Sequence, residues 1–195
     1  MIILGLTGSI GMGKSTTAQM FRDEDCPVFD ADAAVHALYA KGGKAVPIIR
    51  SVFPDAIKDD AVDRAVLGKH MRADPLQLKV LESFIHPLVG ESRAAFFNEH
   101  KEADIVIMDV PLLFETGLDK AVHKIVVVTA PAKIQRERVL AREGMTPELF
   151  ESLLARQMPD ADKRKRADYL VYSDRGLENA RKQVHQILKT LRAKT

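Results

Sequence analysis

Gly8-Ser9-Ile10-Gly11-Met12-Gly13-Lys14-Ser15 fills every fixed position of the pattern G-x-x-x-x-G-K-[ST], and this stretch limits the possible folds more than any other. The pattern requires a strand before it and a helix opening behind it. Ile2-Ile3-Leu4-Gly5-Leu6-Thr7 supplies the apolar run, and Lys14 to Arg22 sets Ala18 and Phe21 on one side of a helix. Gly8, Gly11 and Gly13 let the backbone approach an anion closely, with successive N–H groups pointing inward at a helix N-terminus. Lys14 then sits between the β- and γ-phosphates of a nucleotide, and Thr16 reaches a further oxygen. Ser15 offers its hydroxyl to Mg²⁺, a hard cation that arrives with ATP.

The rest of the chain is consistent with that frame. Ile105 to Asp109 and Ile125 to Thr129 are dense in branched residues and read as strands buried on both faces, as in a parallel sheet; Pro27 to Asp30 and Tyr169 to Tyr172 are shorter candidates. After Gly176, Leu177, Ala180, Val184, Ile187, Leu188 and Leu191 recur at steps of three and four, predicting a helix with one apolar stripe. Strands alternating with helices predict an α/β fold. From Ala33 to His100 helical spacing dominates, punctuated by Pro47, Pro54, Pro75 and Pro87, which predicts a helical insertion. From Lys133 to Arg166 the chain is rich in Arg, Lys and Glu and broken by Gly144 and Pro147, the texture of a mobile charged lid. At 195 residues, 46% of them hydrophobic, one core is expected and a second independent domain is not. The expected organisation is a single domain over 1–195, with its core in 1–32, 103–132 and 167–195, a helical acceptor-binding region in 33–102 and a lid in 133–166.

Charge and cysteine usage narrow the function. With 29 basic and 27 acidic residues the net charge is +2, too small a field to hold a nucleic acid or an anionic membrane. No apolar run approaches the roughly 18 residues of a membrane span or the core of a leader peptide, so the mature chain is expected to start near Met1. The lone Cys26 fits a reducing compartment, and cytoplasm is expected. Asn98 and Asn179 lack the Asn-Lys-x-Asp setting of a guanine reader, which argues against a GTPase switch. The histidines do not cluster, so no zinc site is expected. Lys163-Arg164-Lys165-Arg166 is short, has no interleaved aromatics and reads as a solvated helix end.

Four further features bear on chemistry. Asp109, an acid ending an apolar strand, matches a residue that holds Mg²⁺ through water; the alternative is a surface carboxylate. Asp30-Ala31-Asp32 follows a candidate strand, so strand alternation sends only one of the two acids toward a cleft at the carboxyl end of the sheet. An acid there accepts or orients the proton of an attacking hydroxyl, whereas the other reading is a pair of helix-capping residues. Arg138 and Arg142, four apart on one helical stretch with Arg136, either close on phosphates or belong to a solvated face paired with Glu137 and Glu143. His86-Pro87 reads as a helix boundary on chemistry alone.

Taken together, the segments Gly5 to Thr16, Asp30-Ala31-Asp32, His86-Pro87 with Arg93, Asp109-Val110-Pro111-Leu112-Leu113-Phe114-Glu115, Arg156-Gln157 and Ala167-Asp168-Tyr169 resemble the dephospho-coenzyme A kinase family. The resemblance runs from the first strand to about Leu177. It implies a P-loop three-layer fold with a five-stranded parallel sheet, a helical substrate region and a lid. The implied reaction is transfer of the γ-phosphoryl group of ATP to the ribose 3′-hydroxyl of dephospho-CoA, with Mg²⁺ and no obligate protein partner. By resemblance, Gly11, Met12 and the residues to Thr16 bind phosphates and Asp32 is the base. His86, Arg93, Pro111, Leu112 and Leu113 belong to the acceptor side, Arg138 and Arg142 to the lid. Where the family often carries Asn-x-Gly near the adenine, this chain reads Ser173-Asp174-Arg175-Gly176. On residues alone, another small-molecule kinase and a non-catalytic ATP-binding switch remain as alternatives.

Overall fold

A computed structural model describes residues 1–193, and of Pro75 the backbone alone. In chain order, β1 (Ile2–Thr7), α1 (Lys14–Asp23) and β2 (Val28–Asp30) are followed by α2 (Ala31–Tyr39), α3 (Val46–Val52), the short strands β3 (Ile57–Lys58) and β4 (Ala61–Val62), α4 (Arg64–Ala73) and α5 (Pro75–Glu99). The chain continues through β5 (Ile105–Asp109), β6 (Lys124–Thr129), α6 (Ala132–Leu140), α7 (Pro147–Leu154), α8 (Asp160–Lys165), β7 (Tyr169–Tyr172) and α9 (Leu177–Arg192). It forms two compact units, Met1–Phe29 with the chain from His100 onward, and Asp30–Glu99.

The first unit is built on a five-stranded sheet of order β2-β5-β1-β6-β7, in which β1 is parallel to both its neighbours and β6 is parallel to β7. Alternate residues Leu4, Leu6, Ile105, Ile107, Val126, Val128 and Val171 pack with Ala18 and Phe21 of α1 and with Ala180, Val184, Ile187, Leu188 and Leu191 of α9. On the other face Gly5 admits Leu113 and Val122, whose methyls lie 3.0 and 3.1 Å from where a Cβ would stand. Cover on both faces explains why β5 is buried along its whole length and β6 after its first residue, as their apolar runs predict.

The second unit has its own core, with Leu38, Ile49, Phe53, Leu67, Leu81 and Ile85 at its centre. Its helices are as expected, but two features differ from the sequence reading. β3 and β4 form an antiparallel hairpin around Asp59 and Asp60, both at positive φ, which a texture of helical spacing concealed. Pro47 and Pro54 stand at the starts of helical turns and Pro75 opens α5, yet Pro87 lies inside α5 and breaks nothing. A proline there removes one helix hydrogen bond; Leu81 and Ile85 before it and Leu88 and Val89 after it keep both halves on the same core. His86 is therefore a residue of the helix interior rather than of a boundary.

Leu177 also departs from expectation: it is 67% exposed, so the buried stripe of α9 begins at Ala180. As the first residue of the helix it lies beyond the edge of the face that meets the sheet. Leu188→Ala is expected to destabilise the protein by about 2–5 kcal/mol through cavity formation, whereas Leu177→Ala should stay within about 0.5 kcal/mol of wild type. Urea unfolding of the two variants checks the assignment; equal losses would contradict it.

Candidate active site

The loop between β1 and α1 is shaped by two glycines in the left-handed region, Gly11 at φ 78° and Gly13, the N-cap of α1, at φ 89°. A Cβ at Gly11 would also lie 2.4 Å from Val139 Cγ2 and 3.0 Å from the Gln135 carbonyl oxygen, so a side chain is excluded twice over. As the first residues of a helix, Lys14, Ser15 and Thr16 have no acceptor for their N–H groups in a preceding turn, whereas the Thr17 N–H reaches the Gly13 carbonyl at 3.1 Å. These donors suit the triphosphate of ATP. The Ser15 hydroxyl belongs to an exposed residue and suits Mg²⁺ as one oxygen ligand. Among the described residues no group of three or more His, Cys, Asp or Glu is arranged to hold a metal, so such an ion would draw its other ligands from phosphate and water.

Lys14 Nζ lies 2.5 Å from Asp109 Oδ1, with side chains only 15% and 4% exposed. Pairing of Leu6 with Asp109 in the β1–β5 register sets the acid at the end of β1, level with the start of the loop. Asp109 is thus a buried carboxylate and not a surface one. Any anion approaching Lys14 would have to compete with Asp109 for it.

Groups from the segment expected to be a lid hold this loop. The Ile10 N–H donates to Gln157 Oε1 (3.0 Å), and Gln135 Nε2 donates to the Ile10 carbonyl (2.8 Å). Arg138 donates to Ser173 Oγ (2.8 Å) and to the Ser173 carbonyl (2.9 Å), and Ser173 Oγ donates to the Met12 carbonyl (2.7 Å). Arg138 is therefore bound to the loop after β7 and only weakly to Gly11, whose carbonyl is 3.5 Å away. Arg142 does not share its helix face: α6 ends at Leu140, and Arg142 sits exposed in the turn beyond. Arg136 pairs with Glu151 of α7 and not with the nearer glutamates. Gln135 carries no signal in the sequence, and Gln157 and Ser173 stand out there only through the family resemblance, because the role of an uncharged side chain is not legible until its partner is known.

The basic run at the end of α8 is not solvated throughout. Lys163 is fully buried, its Nζ 2.9 Å from Glu115 Oε1 and 3.2 Å from the Pro111 carbonyl oxygen. Arg166 pairs with Asp119 at 2.6 Å and stacks 4.3 Å from the Phe114 ring centre. Three residues apart, these two side chains share a face toward the segment after β5, while Lys165 points out. Of the expected acceptor-side residues there, Leu112 is 38% exposed but Leu113 is fully buried against Gly5, so Leu113 acts as a core anchor of the turn. A cavity of about 340 Å³ opens beside Met12 of the loop, and its lining includes Asp160 and Asp174 with Arg164 and Arg175, two charges of each sign.

In the second unit, Asp30 is the N-cap of α2, its carboxylate accepting the Ala33 N–H at 2.9 Å. Only one of the two acids is committed to capping; Asp32 lies exposed in the first turn of the same helix. His86 and Arg93, two turns apart on α5, lie on one side of that helix, His86 exposed and Arg93 half-buried.

Burial pushes the Glu115 carboxyl up, but the Met158 N–H and Lys163 together hold it below its ordinary value of 4.5. A carboxylate with a lowered pKa in the folded state contributes stability that is present above its unfolded pKa and lost as pH falls through the folded one. Glu115→Gln is accordingly expected to lose stability less steeply than wild type below pH 4.5. Urea midpoints measured down the acid range test this, and superimposable slopes would refute it.

The dephospho-CoA kinase family model matches residues 2–179. The chain is 52% identical over 194 residues to the dephospho-CoA kinase of Mesorhizobium japonicum, covering 98% of each chain. It is 51% identical over 195 residues to that of Agrobacterium fabrum, covering 99% of this chain and all of the relative. A solved structure from Thermus thermophilus superposes with a TM-score of 0.83 at 34% identity, over 97% of this chain and 96% of the other. In fold alone, it is also similar to the dephospho-CoA kinase of Campylobacter jejuni, with a TM-score of 0.68 at 20% identity over 97% and 96% of the two chains. On this evidence the chain belongs to the dephospho-CoA kinase family.

Proposed function

We propose that this chain transfers the γ-phosphoryl group of ATP to the ribose 3′-hydroxyl of dephospho-CoA, forming coenzyme A and ADP. The observation that carries the reading is the Lys14–Asp109 pair at the mouth of a glycine-shaped loop, in a chain of this family. The backbone of Gly11 to Thr16 binds the phosphates, with Gly8 at the head of the loop, and Lys14 neutralises charge between the β- and γ-groups. Ser15 and, through water, Asp109 would hold Mg²⁺, which would supply positive charge to offset that of the phosphates. Arg138, fixed against Ser173, and Arg142 serve the nucleotide side.

On the acceptor side, Asp32 orients the 3′-hydroxyl and takes its proton as the new O–P bond forms and the bond to ADP breaks. Its freedom from capping, which Asp30 performs, supports this choice. His86, Arg93, Pro111 and Leu112 belong to the acceptor surface, Leu113 holding the turn from beneath. The whole chain then works as one kinase domain, with 33–102 receiving the acceptor and 133–166 excluding water from the reaction. No described helix is long and apolar enough to cross a membrane. A cytoplasmic enzyme acting on a small molecule, with no nucleic acid and no obligate protein partner, completes the reading.

ADP formation measured with and without dephospho-CoA, and across a panel of nucleoside, nucleotide and sugar-acid acceptors, tests the reading. Stimulation by another acceptor alone would replace dephospho-CoA as substrate, and nucleotide binding without any stimulation would leave a switch protein. Lys14→Ala is expected to abolish turnover while the protein stays folded, and Ser15→Ala to raise the Mg²⁺ concentration needed for half-maximal rate. Asp32→Asn should lower kcat by roughly 10²–10⁴ with nucleotide affinity nearly retained. Asp30→Asn should cost much less; a larger loss there would transfer the base to Asp30.

A further inference from the structure

Lys163 is the one lysine among the described residues that is fully buried, and nothing in the phosphate chemistry accounts for it. Its ammonium meets two oxygens, the Glu115 carboxylate at 2.9 Å and the Pro111 carbonyl at 3.2 Å. The same Pro111 carbonyl accepts from Thr7 Oγ1, the last residue of β1, at 3.0 Å. The same Glu115 oxygen accepts the Met158 N–H at 2.7 Å, and the neighbouring Gln157 accepts the Ile10 N–H. The contacts close a circuit that leaves the P-loop at Ile10, passes through Gln157, Met158, Glu115, Lys163 and Pro111, and returns to the same strand at Thr7. All of its members lie in one unit.

A buried ion pair adds little net stability over apolar side chains of equal volume, because desolvation consumes most of the attraction. What it adds is direction, since an ammonium held by two oxygens fixes both. Here the two oxygens bracket Leu112, Leu113 and Phe114 in the turn that follows Asp109, of which Leu112 is exposed.

We propose that Lys163 is a positioning residue for phosphoryl transfer: by holding the Pro111 carbonyl and the Glu115 carboxylate it sets the turn at Leu112 against the P-loop, so that the acceptor meets a preformed surface. This rests on the reading of that turn as part of the acceptor site. Misplacing such a surface costs acceptor binding and rate together while sparing the nucleotide.

The test is steady-state kinetics of Lys163→Met, Glu115→Gln and the double variant, beside thermal melts. In Lys163→Met the KM for dephospho-CoA is expected to rise and kcat to fall, each by about tenfold, with the KM for ATP and acceptor-independent ADP release within about twofold of wild type. Glu115→Gln should shift the same constants in the same direction. The double variant should be no worse than the poorer single, because both act on one turn. Wild-type kinetics with only a lower melting temperature would reduce Lys163 to a structural role and overturn the proposal. So would a parallel rise in the KM for ATP, or losses that multiply in the double variant. Should Lys163→Met fail to fold, Glu115→Gln, which keeps the oxygen and removes the charge, is judged by the same criteria on KM and kcat. A wild-type protein that dephospho-CoA does not stimulate would overturn the functional reading itself, and this inference with it, and that result is seen before any variant is measured.

Discussion

The parallel pairing of β1 with β5 on one side and β6 on the other is the constraint on which the rest of the first unit depends. It directs three strand ends to one edge. Through the β1–β5 register, Asp109 stands beside Leu6 as β1 gives way to the loop, and Lys14 at the start of α1 reaches back to it. At short range and with little solvent between them, these charges attract far more strongly than a surface pair. The pair draws the loop toward the end of β5 and fixes the position of the ammonium. A shift of one residue in that register would turn Asp109 to the opposite face and dissolve the arrangement.

A loop with two residues at positive φ and several outward N–H groups does not hold its own shape cheaply. Its neighbours hold it here, from three directions: Gln135 on α6, Gln157 after α7, and Ser173 after β7. Arg138 ties the first of these directions to the third. The segment 133–166 is therefore a brace for the loop. Any displacement of it would act directly on the loop. Ser173 serves as the junction through its hydroxyl and carbonyl.

Much of this was legible in the residues. The eight-residue motif located a glycine-shaped loop between a strand and a helix, and the branched runs ending at Asp109 and Thr129 located two strands with nearly correct bounds, because a strand covered on both faces cannot alternate with polar residues. Other assignments missed for definite reasons. Lys163 sits in a run of four cations that reads as solvent-facing, and only the oxygens of another segment turned it inward, while Arg166 stays exposed and pairs with Asp119. Pro87 reads as a break, but apolar contacts on either side of it kept α5 continuous. Arg142 reads as a partner of Arg138 at helical spacing, yet α6 stops two residues before it.

What the sequence determined by itself is local and periodic: a loop that demands glycines at particular positions, strands whose apolar content records burial on two faces, a C-terminal helix with one stripe, and the order of these along the chain. Those features follow from backbone sterics and from the period of each element, which neighbours in sequence suffice to express. Tertiary structure alone decided which polar side chains work together, as in Lys14 with Asp109, Arg138 with Ser173, and Lys163 with Glu115 and Pro111. These partners lie tens of residues apart along the chain, and a charged or amide side chain carries no mark of its distant partner. Whether it faces water or a carboxylate is settled only when the sheet brings the two segments together, because an ammonium is stable in the interior only once its oxygens are already there.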